Sequence, residues 1–483
     1  VSFAPVIANL GWLIAGFAGL MLAPAAVALG YGETRDAVVF AGVAAVALFF
    51  GIGMVFATQG GERRIQRRGC FLLIALAWPV LAIIGAAPFY LLDVLSNPTD
   101  AIFEAVSGLT TTGATLITGL DELGRGVVFW RAWLQWIGGF GTIVIAVSVL
   151  TMLRIGGMEV FQSAMPHGDH ATVEARVLRS TAALGWIYAT FTAACAVSLW
   201  FAGMPTFDAL GHALSTVSTG GFSTRDASIA AFDNTNVEAV LVVFMLAAAM
   251  NFTLYWALVR GRLGVWRRDP ECALLIVTAA LATLVAGLLL AHQGMLGGGD
   301  ALRHGMFSVV SALTTTGFTN GGTTMWPAVV PILLLALMFV GGSSGSTGGG
   351  AKLIRLILAF KHGHRELARL SHPHGVVRIR YGDRSVPESA IKALWTFFSL
   401  FLAAFLLLTV VLSMWGLDPA AALGMALATL TNAGAGLSMV VGPEAGYAML
   451  PDAAKWVLCG AMLLGRLELI TVLALLAPMF WRR

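Results

Sequence analysis

Residues 300–320 read DALRHGMFSVVSALTTTGFTN, an aspartate, a stretch of helical pattern, and then a cluster of threonine, glycine and asparagine. The same plan recurs as DAIFEAVSGLTTTGAT at 100–115, DALGHALSTVSTGGFST at 208–224 and DPAAALGMALATLTNAGAG at 418–436. With Gly113, Gly221, Gly317 and Gly434 in register, Ser107, Ser215, Ser311 and Ala428 stand six residues earlier. Repetition at this scale says that one structural unit is used again and again along the chain. Each unit reads as a short helix with Asp100, Asp208, Asp300 or Asp418 near its start, where an aspartate caps free N–H groups, and a polar, glycine-bearing end.

The surroundings of these segments are apolar. Hydrophobic residues make up 58% of the 483 positions and charged residues 11%, whereas a soluble domain is about a quarter charged. A bilayer needs about 20 apolar residues per helix. Ten stretches qualify: 3–30, 36–58, 69–92, 127–153, 178–202, 237–259, 271–292, 326–360, 391–415 and 453–480. Val1 to Gly30 lacks a basic leader and a cleavage pattern, and reads as a retained span. The fold expected is an all-α membrane protein of about ten transmembrane helices. Basic residues fall in alternate loops, with Arg63, Arg64, Arg67 and Arg68, then Arg154, Arg176 and Arg179, then Arg260 to Arg268, then Lys352 to Lys392, then Arg482 and Arg483 on one side. That asymmetry places both termini in the cytoplasm. The net charge of +4 is spread over these runs and forms no patch for nucleic acid. Cys70, Cys195, Cys272 and Cys459 lie singly in apolar sequence, without metal-ligand spacing, and read as small buried residues.

Polar backbone at membrane depth is tolerated only where it is buried in protein or lines a watery cavity. Four equivalent segments imply one shared cavity. A permeating cation must exchange its water for fixed oxygens, and a ring of backbone carbonyls with threonine hydroxyls supplies them. Glycine lets the backbone take up conformations that turn successive carbonyls to one side. The candidate selectivity filter is Thr111, Thr112 and Gly113; Thr219, Gly220 and Gly221; Thr315, Thr316 and Gly317; Asn432, Ala433 and Gly434. The short helices would aim their C-termini, each carrying about half a negative charge, at the same point. No Asp or Glu stands in these segments, which argues against a divalent-cation ring. The alternative is close packing of helices on small residues.

The run Gly341, Gly342, Ser343, Ser344, Gly345, Ser346, Thr347, Gly348, Gly349, Gly350 interrupts the stretch 326–360. Glycine costs a helix about 1 kcal/mol relative to alanine, so the helix must break there. Ala351 and Lys352 follow, yet the order of a phosphate loop is missing. The run reads as an intramembrane gate loop, or alternatively as a packing kink. Arg466 lies inside the last apolar stretch, where it must face protein or water, and it joins the loop as a candidate gate residue. Its five N–H groups could satisfy loop carbonyls, and its charge would oppose a cation. Glu468 and Asn251 are further polar residues inside spans, and His362, His364, His372 and His374 cluster in the basic loop without the carboxylates or cysteines of a metal site.

These segments resemble the TrkH/KtrB/HKT superfamily of K⁺ transporters, and within it the TrkH-type bacterial potassium uptake subunits. The resemblance rests on FWRAWLQWIGGFGTIVIAVSVLTML at 129–153, GGMEVFQ at 156–162, STGGFST at 218–224, TTTGFTN at 314–320, GGSSGSTGGGAKLIR at 341–355 and GRLELITVLALLAPMFW at 465–481. It implies four membrane-pore-membrane repeats with pseudo-fourfold symmetry after two N-terminal helices. The divisions are then 1–62 for those helices, 63–155, 156–260 and 261–362 for repeats 1 to 3, the gate loop lying in the third, and 363–483 for repeat 4. It also implies a homodimer, a cytosolic TrkA-type (RCK) regulatory ring that binds a nucleotide (ATP/ADP or NAD), and residence in the bacterial inner membrane. Ala435 stands where relatives often carry proline. Na⁺-conducting plant members carry serine at the first filter glycine, and glycine at all four positions here favours K⁺. The function expected is K⁺ uptake through a channel-like pore, with K⁺ the only metal, held at the filter, and no cofactor on this chain. The alternative is a secondary potassium symporter coupled to H⁺ or Na⁺, with sites on broken helices. A membrane enzyme is disfavoured because no nucleophile, base and metal set converges.

Overall fold

The computed structural model describes residues 3–60, 65–153, 173–261, 263–267, 269–294, 296–321, 326–372, 375, 377–382, 384–434, 446–467, 475 and 481. Helices dominate. Among the described residues six are long and apolar enough to cross a bilayer: Phe3–Gly30, Thr34–Ala57, Arg68–Leu91, Thr181–Phe201, Pro270–His292 and Glu388–Ser413. Their outer faces stay apolar, with Phe49 73% and Phe201 77% exposed, an arrangement that suits lipid and would invite aggregation in water. The chain is a multi-pass membrane protein.

In chain order the elements are α1 (Phe3–Leu20), α2 (Leu22–Gly30), α3 (Thr34–Ala57), α4 (Arg67–Leu91), α5 (Pro98–Leu109), α6 (Arg125–Leu153), α7 (Val173–Phe201), α8 (Thr206–Val217), α9 (Thr235–Ala248), α10 (Phe252–Val259), α11 (Leu263–Arg267), α12 (Pro270–His292) and α13 (Gly298–Leu313). They continue as α14 (Val329–Val340), α15 (Leu353–Ser371), α16 (Glu388–Ser413), α17 (Pro419–Leu430) and α18 (Asp452–Arg466). A two-stranded antiparallel ribbon, β1 (Arg380–Tyr381) and β2 (Arg384–Ser385), sits between α15 and α16.

Three of the expected spans take another form. The stretch 237–259 is bent by 91° between α9 and α10, because Asn251 starts a new helix there and its Oδ1 accepts from the N–H of Thr253 at 2.9 Å. Asn251, one of the polar residues inside an expected span, is a helix cap. The stretch 326–360 breaks at the glycine run into α14 and α15, as glycine's cost to a helix requires. The last stretch is described as a helix only to Arg466, and Glu468 lies outside the described residues.

Four short helices, α5, α8, α13 and α17, each pack on the long helix before them, α4, α7, α12 and α16 respectively. The helix that follows each one then touches the next short helix along: α6 touches α8, α9 touches α13, α14 touches α17, and α18 returns to α5. The contacts therefore close a ring in chain order. Both α1 and α3 pack against α4 outside it.

The aspartates expected to cap these helices do so once. Asp418 Oδ2 accepts from the N–H of Ala420 at 3.0 Å, while α5 is capped by Asn97, which accepts from the N–H of Thr99 at 3.0 Å. Asp100, Asp208 and Asp300 stand inside the first turn. There they still favour the positive end of the helix dipole, and their carboxylates take side-chain partners instead: Asp100 pairs with Lys455 at 2.6 Å and Asp208 with Arg225 at 2.8 Å.

Candidate functional site

The four short helices end in one and the same way. At the end of α5 the N–H of Thr112 donates to Ser107 O (2.9 Å) and that of Thr111 to Gly108 O (2.9 Å). The matching pairs are Gly220 to Ser215 (2.8 Å) with Thr219 to Thr216 (3.0 Å), Thr316 to Ser311 (3.0 Å) with Thr315 to Ala312 (3.0 Å), and Ala433 to Ala428 (2.7 Å) with Asn432 to Thr429 (3.3 Å). This is the Schellman ending, whose left-handed residue is usually glycine. Here that residue is Thr111 (φ 52°), Thr219 (52°), Thr315 (59°) or Asn432 (53°). Left-handed backbone at a β-branched residue is costly, about 1–3 kcal/mol, and persists only where the surrounding structure holds it. Gly113 (79°), Gly221 (79°) and Gly317 (86°) are left-handed as well, so in three repeats two left-handed residues flank a single intervening one. The serines and Ala428 noted in register act through their carbonyls, which is why alanine serves in the fourth.

All the filter candidates whose side chains carry polar atoms, Thr111, Thr112, Thr219, Thr315, Thr316 and Asn432, are buried. The structure brings them together. Asn432 Nδ2 donates to Thr112 Oγ1 (2.9 Å), joining the fourth segment to the first. A Cβ on Gly434 would stand 2.7 Å from Thr112 Cγ2. The hydroxyls of Thr219 and Thr315 donate to Ser218 O and Thr314 O (both 2.7 Å), and Thr111 Oγ1 has no partner among the described residues.

Two polar side chains of α6 reach the second segment. Gln135 donates from Nε2 to Gly220 O (2.7 Å) and accepts at Oε1 from the N–H of Phe222 (3.1 Å). One turn earlier, Arg131 donates to Ser223 O (3.1 Å), to Thr115 Oγ1 (2.8 Å) and to Glu104 Oε1 (2.9 Å). Glu104 in turn accepts from Thr115 Oγ1 (2.8 Å) and the N–H of Leu116 (2.9 Å). Both members of this ion pair are fully buried, and the remaining hydrogen bonds satisfy it, as a buried pair demands. None of Arg131, Glu104 and Gln135 stands among the candidate residues read from the sequence. A signal did exist, since Arg131 and Gln135 lie one turn apart on an otherwise apolar helix.

Gly341 to Gly350 fold against the C-terminal ends of the short helices. Thr347 Oγ1 donates to Val217 O (3.0 Å) and Ala248 O (3.2 Å), the N–H of Gly349 to Thr315 Oγ1 (2.7 Å), and the N–H of Gly350 to Thr431 O (3.0 Å). Gly342, Ser343, Ser346 and Gly348 are buried with them. Arg466, 7% exposed, donates from Nη1 to Thr347 O at 2.9 Å, and its Nε and Nη2 have no partner among the described residues. Lys352, missed in the sequence, donates from Nζ to the neighbouring carbonyl of Gly348. Glu271, at the start of α12, accepts from the N–H of Ser344 (2.6 Å) and from Tyr381 OH (2.8 Å), so the loop is tied to the β1–β2 ribbon through one buried carboxylate.

Among the described residues no group of His, Cys, Asp and Glu could hold a metal ion. His362 Nδ1 faces Arg365 at 3.1 Å, and His374 lies outside the described residues, as do Ala435 and the segment 156–162.

The sequence profile of the TrkH family, described as a cation transport protein, matches residues 37–483. The chain belongs to the TrkH family. It is 40% identical over its whole length, and the whole of the relative's, to the Trk system potassium uptake protein TrkH of Salmonella typhimurium, and 42% identical, again over 100% of both, to that of Vibrio parahaemolyticus. The Trk system potassium uptake protein TrkG of Escherichia coli K12 is 35% identical over 98% of this chain and 97% of its own. The crystal structure of the potassium transporter TrkH from Vibrio parahaemolyticus superimposes with a TM-score of 0.91, at 41% identity and with 100% of both chains covered. These relatives are transport proteins, and the TrkH family member described here is likewise a transporter rather than an enzyme.

Proposed function

We propose that the chain takes up K⁺ through one channel-like pore whose selectivity filter is formed by residues 111–113, 219–221, 315–317 and 432–434. The observation that carries this reading is the fourfold recurrence of a left-handed Thr or Asn at the C-terminus of a buried short helix. Carbonyls near these ends replace the ion's water, and the four helix C-termini favour a cation without a carboxylate in its path. The relatives named above carry potassium in their names.

Residues 341–350 act as the gate. In the geometry described they lie against the filter ends, held by Arg466 and Lys352 on consecutive carbonyls, and uptake requires them to swing aside. The regulatory partner is a cytosolic TrkA-type ring that binds ATP/ADP or NAD, and the chain works as a homodimer in the bacterial inner membrane with both termini cytoplasmic. The divisions are those implied by the resemblance to TrkH-type subunits: two N-terminal helices at 1–62, then repeats at 63–155, 156–260, 261–362 and 363–483. The ring docks on the exposed basic residues Arg369, Arg378 and Arg380, whereas Arg365 is 6% exposed and bound to Glu388 at 2.5 Å.

The test is ion flux into proteoliposomes of purified protein, with K⁺ and Rb⁺ passing and Na⁺ largely excluded. Equal passage of Na⁺ would sink the filter reading. A coupled symporter is the second reading, favoured by the 91° break between α9 and α10 beside a loop held by the buried carboxylate of Glu271. It demands that an imposed proton or Na⁺ gradient drive K⁺ uphill at zero membrane potential, which a channel cannot do.

A further inference from the structure

Four hydroxyls stand at the C-caps of the short helices, and each donates to the carbonyl one turn back: Thr110 to Val106 O (2.7 Å), Ser218 to Leu214 O (2.8 Å), Thr314 to Val310 O (2.8 Å) and Thr431 to Leu427 O (2.8 Å). Two residues further on the fourfold pattern ends. In repeats 1 and 3 this position is threonine, and its hydroxyl pairs with the cap, Thr112 with Thr110 at 2.7 Å and Thr316 with Thr314 at 2.8 Å. Those filter walls are braced by their own helices. In repeats 2 and 4 the position is Gly220 and Ala433, which have no hydroxyl to give. There a side chain from elsewhere grips the wall by a carbonyl, Gln135 on Gly220 O at 2.7 Å and Tyr447 on Gly434 O at 3.2 Å. Among the described residues no side chain donates to a carbonyl of 111–113 or 315–317.

Since the contacts between helices close a ring in chain order, repeats 1 and 3 face each other across it, as do 2 and 4. We infer that Gln135 and Tyr447 are positioning residues for ion selectivity, holding two opposite walls of the filter back from the axis by their carbonyls, while the other two walls are braced through their threonine hydroxyls. The inference rests on the filter reading above. Gln135 comes from α6, outside the second segment, and its planar amide binds Gly220 O and the N–H of Phe222 together, so the peptide units on both sides of Gly221 are fixed. Released, Gly220 O is free to swing inward, and a narrower ring suits the smaller Na⁺. Glycine at 220 is required by the clamp, because a Cβ there would overlap the Gln135 amide, lying 2.5 Å from Oε1 and 2.7 Å from Nε2.

The experiment measures K⁺, Rb⁺ and Na⁺ flux side by side for the parent chain, Gln135→Ala, Tyr447→Phe, Gly220→Thr and the double variant Gln135→Ala/Gly220→Thr. In Gln135→Ala the K⁺/Na⁺ ratio is expected to fall by about two- to tenfold, the weight of one neutral hydrogen bond. Tyr447→Phe, which keeps the ring and loses only the hydroxyl, falls in the same direction. Gly220→Thr alone collides with Gln135 and lowers the yield of folded protein. The double variant removes the collision and lets the new hydroxyl pair with Ser218 as Thr112 does with Thr110, so its ratio recovers toward the parent value. A parent-like ratio in both Gln135→Ala and Tyr447→Phe overturns the proposal. A parent that fails to prefer K⁺ overturns instead the filter reading on which it rests. Should Gln135→Ala not fold, Tyr447→Phe decides by its ratio.

Discussion

Replacing Arg466 by alanine should open the pore in the absence of any regulatory partner. The guanidinium is buried, and it donates to Thr347 O at 2.9 Å, inside the loop that also binds Val217 O and Thr431 O. A hydrogen bond from a charged donor is worth about 1.5–3 kcal/mol net. Losing it from the closed arrangement alone lowers the closed-to-open ratio by about 10- to 150-fold, at tenfold for each 1.4 kcal/mol. Lys352 still holds the adjacent carbonyl of Gly348, so the single variant opens only in part, and Arg466→Ala/Lys352→Met should exceed the product of the two single effects, as expected of residues sharing one loop. Arg466→Lys falls between parent and alanine, because it keeps a donor and loses the planar fork. The assay is Rb⁺ uptake into proteoliposomes at matched protein density, with a melting curve for each variant. Folded Arg466→Ala and Arg466→Ala/Lys352→Met proteins whose partner-free uptake stays at the parent level would show that this loop is a packing kink.

Three further outcomes follow from the same geometry. Gly113→Ser, at a position with φ of 79°, strains the backbone and should raise Na⁺ passage relative to K⁺; unchanged discrimination in folded protein would remove Gly113 from the filter. Tyr381→Phe takes one of two hydrogen bonds from buried Glu271 and should destabilise the protein by about 1–3 kcal/mol, read as a fall in denaturant midpoint together with faster partner-free uptake. Neutralising Arg369, Arg378 and Arg380 while keeping Arg365 should weaken co-purification of the cytosolic ring and leave uptake by the isolated chain intact, whereas undiminished retention would place the ring elsewhere.

What could be read from the sequence was whatever repeats. The glycines at 113, 221 and 317 sit in left-handed backbone, as glycine in a polar intramembrane turn suggests, and the glycine run breaks its helix. The left-handed threonines were not legible, because a β-branched residue is the last choice for that conformation and only the assembled ring holds it there. The aspartate cap of α5 failed for a local reason: Asn97 precedes Pro98 and takes the cap, which leaves Asp100 for Lys455, 355 residues away. Distance in sequence hid the rest. Gln135 and Gly220 are 85 residues apart, and nothing in the α6 sequence says which carbonyl its amide meets. A lone arginine is costly in a membrane, and pairing with Glu104, 27 residues earlier, is what lets Arg131 lie within α6.

On the proposed function, the four left-handed helix ends surround one cation site. Rb⁺ soaked into crystals of the protein scatters anomalously, so its position can be seen directly. An anomalous peak is expected among the backbone oxygens of residues 111–113, 219–221, 315–317 and 432–434, lost in competition with excess K⁺ and kept in excess Na⁺. A map in which Rb⁺ appears elsewhere in the membrane region while these four segments stay empty, at concentrations that support uptake, would contradict it.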